Sequence, residues 1–154
     1  MTAPAFTLDE IQTAEATRAA RLKWVVVVDS TAPPGRMVNA VACIAAATGS
    51  VVDGLVARGG TDAAGHEHPG LPWAGCTVLA TTPERLANTR AKAVAVAGML
   101  VVDMPLSAQT NRVYDGYLAE LAGTAPEDLA VTAVSIVGER SEVDAIVKRL
   151  SLLA

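Results

Sequence analysis

Leu22-Lys23-Trp24-Val25-Val26-Val27-Val28-Asp29 is the stretch on which the architecture turns. Four successive valines behind a tryptophan leave no polar face, so a strand here must be covered on both sides, as in a sheet sandwiched between helices. A second apolar run, Met99-Leu100-Val101-Val102, stops at Asp103 as the first stops at Asp29. Each aspartate enters a proline-containing turn, Ser30-Thr31-Ala32-Pro33-Pro34-Gly35 after the first and Met104-Pro105 after the second. If the two strands are parallel, both carboxylates lie at the sheet edge where open α/β folds take ligands.

Outward from these strands, helical and extended patterns alternate. Met37, Val38, Val41, Ile44, Ala45 and Thr48 recur at helical spacing, predicting a helix over 36–47 closed by Gly49. A short strand over 51–57 is expected, then a glycine-rich polar hairpin or lid from Gly59 to Gly70, then a strand over 76–80. Thr81-Thr82-Pro83-Glu84 carries helix-start signals, and Leu86, Arg90 (by its stem), Ala93, Val94 and Ala97 supply its inner stripe before Gly98. Strands over 99–102 and 129–137 flank a helix with Val113, Tyr114, Tyr117, Leu118 and Leu121 on one face. The last helix uses Val143, Ile146, Val147 and Leu150. The expected fold is an α/β three-layer sandwich around a mixed, mostly parallel sheet. Residues 1–22 form an N-terminal extension, loose over 1–6 and helical from Leu8 through the Thr7–Glu10 capping box, and residues 23–154 form a single domain.

The chain of 154 residues is 51% apolar but 3% aromatic, so its core is built from aliphatic side chains and alanine. Alanine-rich helix faces suit close packing and point to homo-oligomer formation. Twelve basic against sixteen acidic residues give a net charge of −4, which disfavours nucleic acid as a partner. Arg85, Asn88 or Thr89, and Lys92 share one helix side as the clearest basic patch, read as solvated surface. Cys43 and Cys76 read as buried free thiols. No signal-peptide pattern or membrane-length apolar run is present, so a cytoplasmic protein without membrane attachment is the expectation. Glycine-rich nucleotide-binding fingerprints are absent, and no cofactor is assigned.

Asp29 could cap the turn into the next helix or act as a site acid; Asp103 carries the same two readings. Arg36 offers a guanidinium fork for a carboxylate or phosphate, and Asn39 stands one helical turn on. His66 and His68 are the chain's two histidines, separated by Glu67 beyond the hinge-like Gly59-Gly60. They could stabilise the turn, exchange protons, or hold a metal with help from Asp62; no metal is assigned. The most concrete enzymatic arrangement is a hydrolase in which Asp29 orients water and His66 transfers a proton, with Arg36, Asn39, Gly60, His68 and Asp103 binding a small polar or anionic ligand. The opposing reading is a non-catalytic homodimeric binding or assembly domain.

The run Leu22 to Asp29, the segment Pro33-Pro34-Gly35-Arg36-Met37-Val38-Asn39-Ala40, Gly54-Leu55 and His68-Pro69-Gly70 together resemble the bacterial family known as domain of unknown function 2000. That family is similar in fold to peptidyl-tRNA hydrolases of the archaeal and eukaryotic type, which also share a late strand ending in glycine, here Thr132 to Gly138. The resemblance implies that Gly35-Arg36 stands where those enzymes carry glycine-lysine. Their loop lysine is replaced by Ala32, Pro33 or Pro34, and their Asp-Ala-Gly-Arg-Thr segment has no counterpart between Pro105 and Ala130.

Overall fold

In the computed structural model, which describes residues 3–154, the valine run becomes β1 (Leu22–Asp29), and Val25 to Val28 are wholly buried. Burial of each valine contributes roughly 1.5–3 kcal/mol, so this strand anchors the fold. There follow α1 (Pro34–Val51), the small strands β2 (Gly60–Thr61) and β3 (Glu67–His68), β4 (Thr77–Thr81) and α2 (Pro83–Val94). The chain continues through β5 (Leu100–Pro105), α3 (Leu106–Thr110), α4 (Tyr114–Ala122), β6 (Val131–Glu139), α5 (Arg140–Val147) and β7 (Ser151–Leu152).

The main sheet has the order β5-β6-β1-β4-β7. Only β1 and β4 pair in parallel; β6 runs antiparallel to both β1 and β5, and β7 antiparallel to β4. The expectation of a mostly parallel sheet is therefore corrected to a mixed, mostly antiparallel one. Its cause is the segment between β5 and β6. A parallel crossover must carry its helix back over the sheet, whereas α4 packs mainly on α3 and buries no residue. β6 consequently returns beside β5 in the reverse direction.

Three layers remain. On one face Trp24, Val26, Val28, Ala133 and Val137 pack against Ala40 and Ile44 of α1 and against Phe6, Val52 and Leu55. On the other, Val25, Val27, Val134 and Ile136 pack against Leu86 and Ala93 of α2 and Val143 and Val147 of α5. The alternation follows from the two-residue side-chain period of β1. Polar groups inside the first layer are satisfied: Trp24 Nε1 donates to Ser135 Oγ at 2.8 Å, and Thr48 Oγ1 lies 2.7 Å from the same oxygen.

Local differences from the sequence reading have simple causes. α1 passes through Gly49 to Val51, because a glycine weakens but does not end a helix whose inner residues are buried. No strand forms over 51–57; one isolated bridge, Val56 to Pro72, marks that region. The N-terminal helix is replaced by short 3-10 turns, Leu8–Glu10 and Thr17–Ala19. The segment is held by Phe6, tilted against Trp73 at 4.9 Å, and by Arg21, which pairs with Glu10 and Glu139. The loose start expected for Met1 and Thr2 lies outside the described residues. Cys43 and Cys76 are free thiols as expected, but both residues are exposed rather than buried, since α1 turns Cys43 outwards and Cys76 precedes β4. The Cys76 thiol is nevertheless desolvated enough to be pushed up to about 12.

Candidate functional site

A cleft of about 320 Å³ opens where β1 ends, lined by Asp29, Pro33, Arg36, Pro83, Leu106 and Thr132 among others. The sequence builds it from two helix starts. Pro34 and Pro83 each occupy an early helical position that needs no amide donor, and so launch α1 and α2 beside one another at the cleft. Their first-turn amides add positive partial charge there.

Asp29 is fixed by its own turn. Its Oδ1 accepts from the Thr31 amide at 2.8 Å and the Thr31 hydroxyl at 2.7 Å, while no donor among the described residues occupies Oδ2. This local closure is the structural cap anticipated for an aspartate at a strand end. The Arg36 guanidinium, exposed on the first turn of α1, makes no ion pair among the described residues, although it and Asp29 line the same cleft.

Asn39 reaches the cleft indirectly. Gln109 Nε2 donates to Asn39 Oδ1 at 3.0 Å and to the Arg36 carbonyl at 2.9 Å, and Gln109 Oε1 accepts from Thr132 Oγ1 at 2.9 Å. Gln109 thus ties the opening of α1 to β6. Sequence reasoning missed both Gln109 and Thr132. No local signal singled them out: Gln109 sits in the short α3, and its partners Asn39 and Thr132 lie 70 and 23 residues away.

Asp103 is occupied elsewhere. Arg90 Nε donates to its Oδ2 at 2.8 Å and Nη2 lies 2.7 Å from the same oxygen as an ion pair, and both side chains are largely buried. Asp103 Oδ1 is buried without a partner, as is Thr81 Oγ1. β6 stands between β5 and β1, so two strand spacings, about 10 Å, separate the two aspartate strands. Asp103 lines a different groove of about 510 Å³ beside the free edge of β5, with Cys43, Tyr114 and Tyr117.

His66 and His68 stand on the β2–β3 hairpin. Asp62 gathers them: its Oδ2 lies 3.1 Å from His66 Nδ1 and 3.5 Å from His68 Nε2, and its Oδ1 accepts from the Ala64 and His66 amides. These bonds hold the Asp62 carboxyl below its usual range, led by the His66 amide. Among the described residues no group of three potential ligands is arranged to hold a metal ion. Gly60 pairs with His68 across the hairpin and lines its surface. The hairpin leaves from Leu55 and returns at Trp73, after α1 has travelled back along the sheet, and Thr77 then begins β4 level with Val25. His66, Gly60 and His68 are therefore set at the opposite end of β1 from Asp29 and Arg36.

The arrangement leaves the Arg36 guanidinium without an ion pair and Asp29 Oδ2 without a donor among the described residues, at one cleft. It brings Asp29 and Arg36 to one cleft, attaches Asn39 through Gln109, and leaves Asp103 and the histidines apart. No described helix is long and apolar enough to cross a membrane. No curated protein matches the chain. A solved structure of a protein of unknown function from Agrobacterium tumefaciens is similar in fold, with a TM-score of 0.74 at 18% identity, covering 87% of this chain and 98% of that one. The family model described as "Protein of unknown function (DUF2000)" matches residues 22–154, and the chain belongs to that family.

Proposed function

We propose that the protein binds a small polar ligand bearing an anionic group in the cleft at the end of β1. The supporting observation is that the Arg36 cation and the Asp29 carboxylate line one cleft of about 320 Å³ without forming an ion pair, each retaining bonding capacity. A ligand anion takes the Arg36 fork while a ligand donor takes Asp29 Oδ2. The resemblance of Gly35-Arg36 to the glycine-lysine of peptidyl-tRNA hydrolases supports the same end of the strand. Hydrolysis using Asp29 and His66 together loses its support, because those groups occupy opposite ends of β1.

The test is an amide NMR titration with acetate and succinate. Shifts are expected at Ala32, Arg36 and Thr132, with Arg36→Gln weakening binding about tenfold or more. Absence of shifts around the cleft would overturn the proposal.

Assembly as a homodimer is a second reading, favoured by the free β5 edge. Beside it α4 carries exposed Tyr114 and Leu118 and buries nothing. Antiparallel pairing of two β5 edges is self-complementary, as a twofold interface requires. Sedimentation would show a dimer that Val102→Lys disperses; a monomer at high concentration would remove this reading.

A further inference from the structure

Between α2 and α5 lies a second cleft, of about 240 Å³, lined by Arg85, Lys92, Lys148 and Arg149 together with Asn88 and Thr89, and no carboxylate lines it. One third of the chain's twelve lysines and arginines thus surround one hollow of a protein whose net charge is −4. None of the four enters an ion pair among the described residues; the cations that do are Arg21, Lys23 and Arg90, besides the two histidines. Four like charges around one hollow repel each other unless an anion or salt offsets them.

Helix-end electrostatics explain only part of the cluster. Lys92 is in the last turn of α2, and Lys148 and Arg149 follow α5, where cations complement the helix dipole. Arg85 is in the first turn of α2, where that field favours a carboxylate instead. Its guanidinium is also held across the helix seam, Nη2 donating to the Arg149 carbonyl at 2.7 Å, which fixes its position relative to the other cations.

We propose that this cleft binds a compact, multiply charged anion of phosphate chemistry, such as a phosphate ester or pyrophosphate group. The four residues line one small hollow, which suits one phosphate group better than a polymer backbone. The overall negative charge also works against long-range attraction of a nucleic acid. Asn88 supplies a neutral donor beside the cations. The cleft shares no lining residue with the one at Asp29, so the two proposals stand or fall separately.

The experiment is titration of the intact protein with pyrophosphate, followed by amide NMR and calorimetry at about 50 and 200 mM salt, with a phosphate monoester and a short single-stranded RNA as parallel probes. Pyrophosphate should shift Arg85, Asn88, Lys148 and Arg149 and bind more weakly at the higher salt. Lys92→Gln with Lys148→Gln should weaken it about tenfold or more without altering Tm, since both side chains are exposed. Arg85→Lys should weaken it while retaining charge, because the fork is lost. Shifts confined to Ala32, Arg36 and Thr132 would overturn this site while supporting the other cleft. No shift up to about 10 mM probe would overturn it outright, and RNA binding much tighter than either small probe would overturn the compact-ligand assignment.

Discussion

Asp103 lies level with Val27, two residues short of Asp29, because Val134 of β6 pairs with both. Strand β6 therefore separates the aspartates laterally and offsets them along the sheet. Their similar sequence settings lead to different environments: one carboxylate closes a surface turn, and the other is clamped by an arginine from α2.

Arg90 holds Asp103 in a site where each side chain is about one fifth exposed, 23% and 18%. Arg90→Met removes the cation and leaves the carboxylate partly desolvated. Urea unfolding should show a loss of about 2–4 kcal/mol, near the lower end for broken buried pairs because solvent retains some access. Asp103→Asn should lose less, and the double-mutant cycle should show coupling. Equal, additive losses would mean that the contact contributes only through packing.

Gln109 offers a different test, since it touches the cleft only through Asn39, the Arg36 carbonyl and Thr132. Gln109→Ala should lower stability by about 1 kcal/mol, mainly through the lost bond to Thr132 Oγ1, which keeps its bond to the Met104 carbonyl. Acetate affinity should fall with it as α1 loosens relative to β6. Unchanged affinity alongside the stability loss would show that the network braces the fold and leaves the cleft intact.

The hairpin can be probed through neighbouring glycines. A Cβ on Gly70 would stand 1.7 Å from the Ala57 carbonyl oxygen, and one on Gly59 2.3 Å from that of His68, whereas one on Gly60 meets nothing within 4 Å. Gly70→Ala and Gly59→Ala should therefore abolish the hairpin cross-strand nuclear Overhauser contacts while the main sheet persists. Gly60→Ala should preserve those contacts and change stability by no more than about 0.5 kcal/mol. Intact contacts in Gly70→Ala would show that the close approach at its base is not required.

Acid should release the N-terminal segment. The Arg21 guanidinium, aided by the Thr7 amide, lowers the Glu10 carboxyl from its ordinary 4.5 to about 2. A carboxyl with a depressed folded-state pKa contributes full stability above its unfolded value and loses that contribution as pH falls through the folded one. The Trp73 environment, packed against Phe6, should change between pH 4.5 and about 2. Glu10→Gln should flatten that change; persistence of the full transition in this variant would assign it to another group.

The sequence was most readable where a local signal and burial agree. Val25 to Val28 require a doubly covered strand, and Pro83 sits at the helix start signalled by Thr82 and Glu84, whereas the first helix begins at Pro34, inside the turn expected to precede it. Strand direction was not locally encoded: residues 106–122 have helical patterns whether they cross the sheet or remain beside its edge, and α3 and α4 take the second course. The site was readable in part for the same reason. Asp29 and Arg36 are joined by one short loop, so their common cleft follows from nearby sequence. Gln109 reaches Asn39 across 70 residues, and Asp103 meets Arg90 through the helix–sheet packing, relationships that only the tertiary arrangement creates.

The late position of β6 has a consequence for biosynthesis. Trp24 and Ser135 are 111 residues apart yet bonded in the core, and β5 has no sheet neighbour except β6. During synthesis β1 can pair with β4 and be covered by α1 and α2, but its other edge, and β5 altogether, stay without a strand partner until residues 131–139 arrive. Assembly of the sheet thus waits for β6 and closes slowly through non-local contacts. A nascent chain stalled before β6 should be a chaperone client, while one stalled just after it should resist proteolysis.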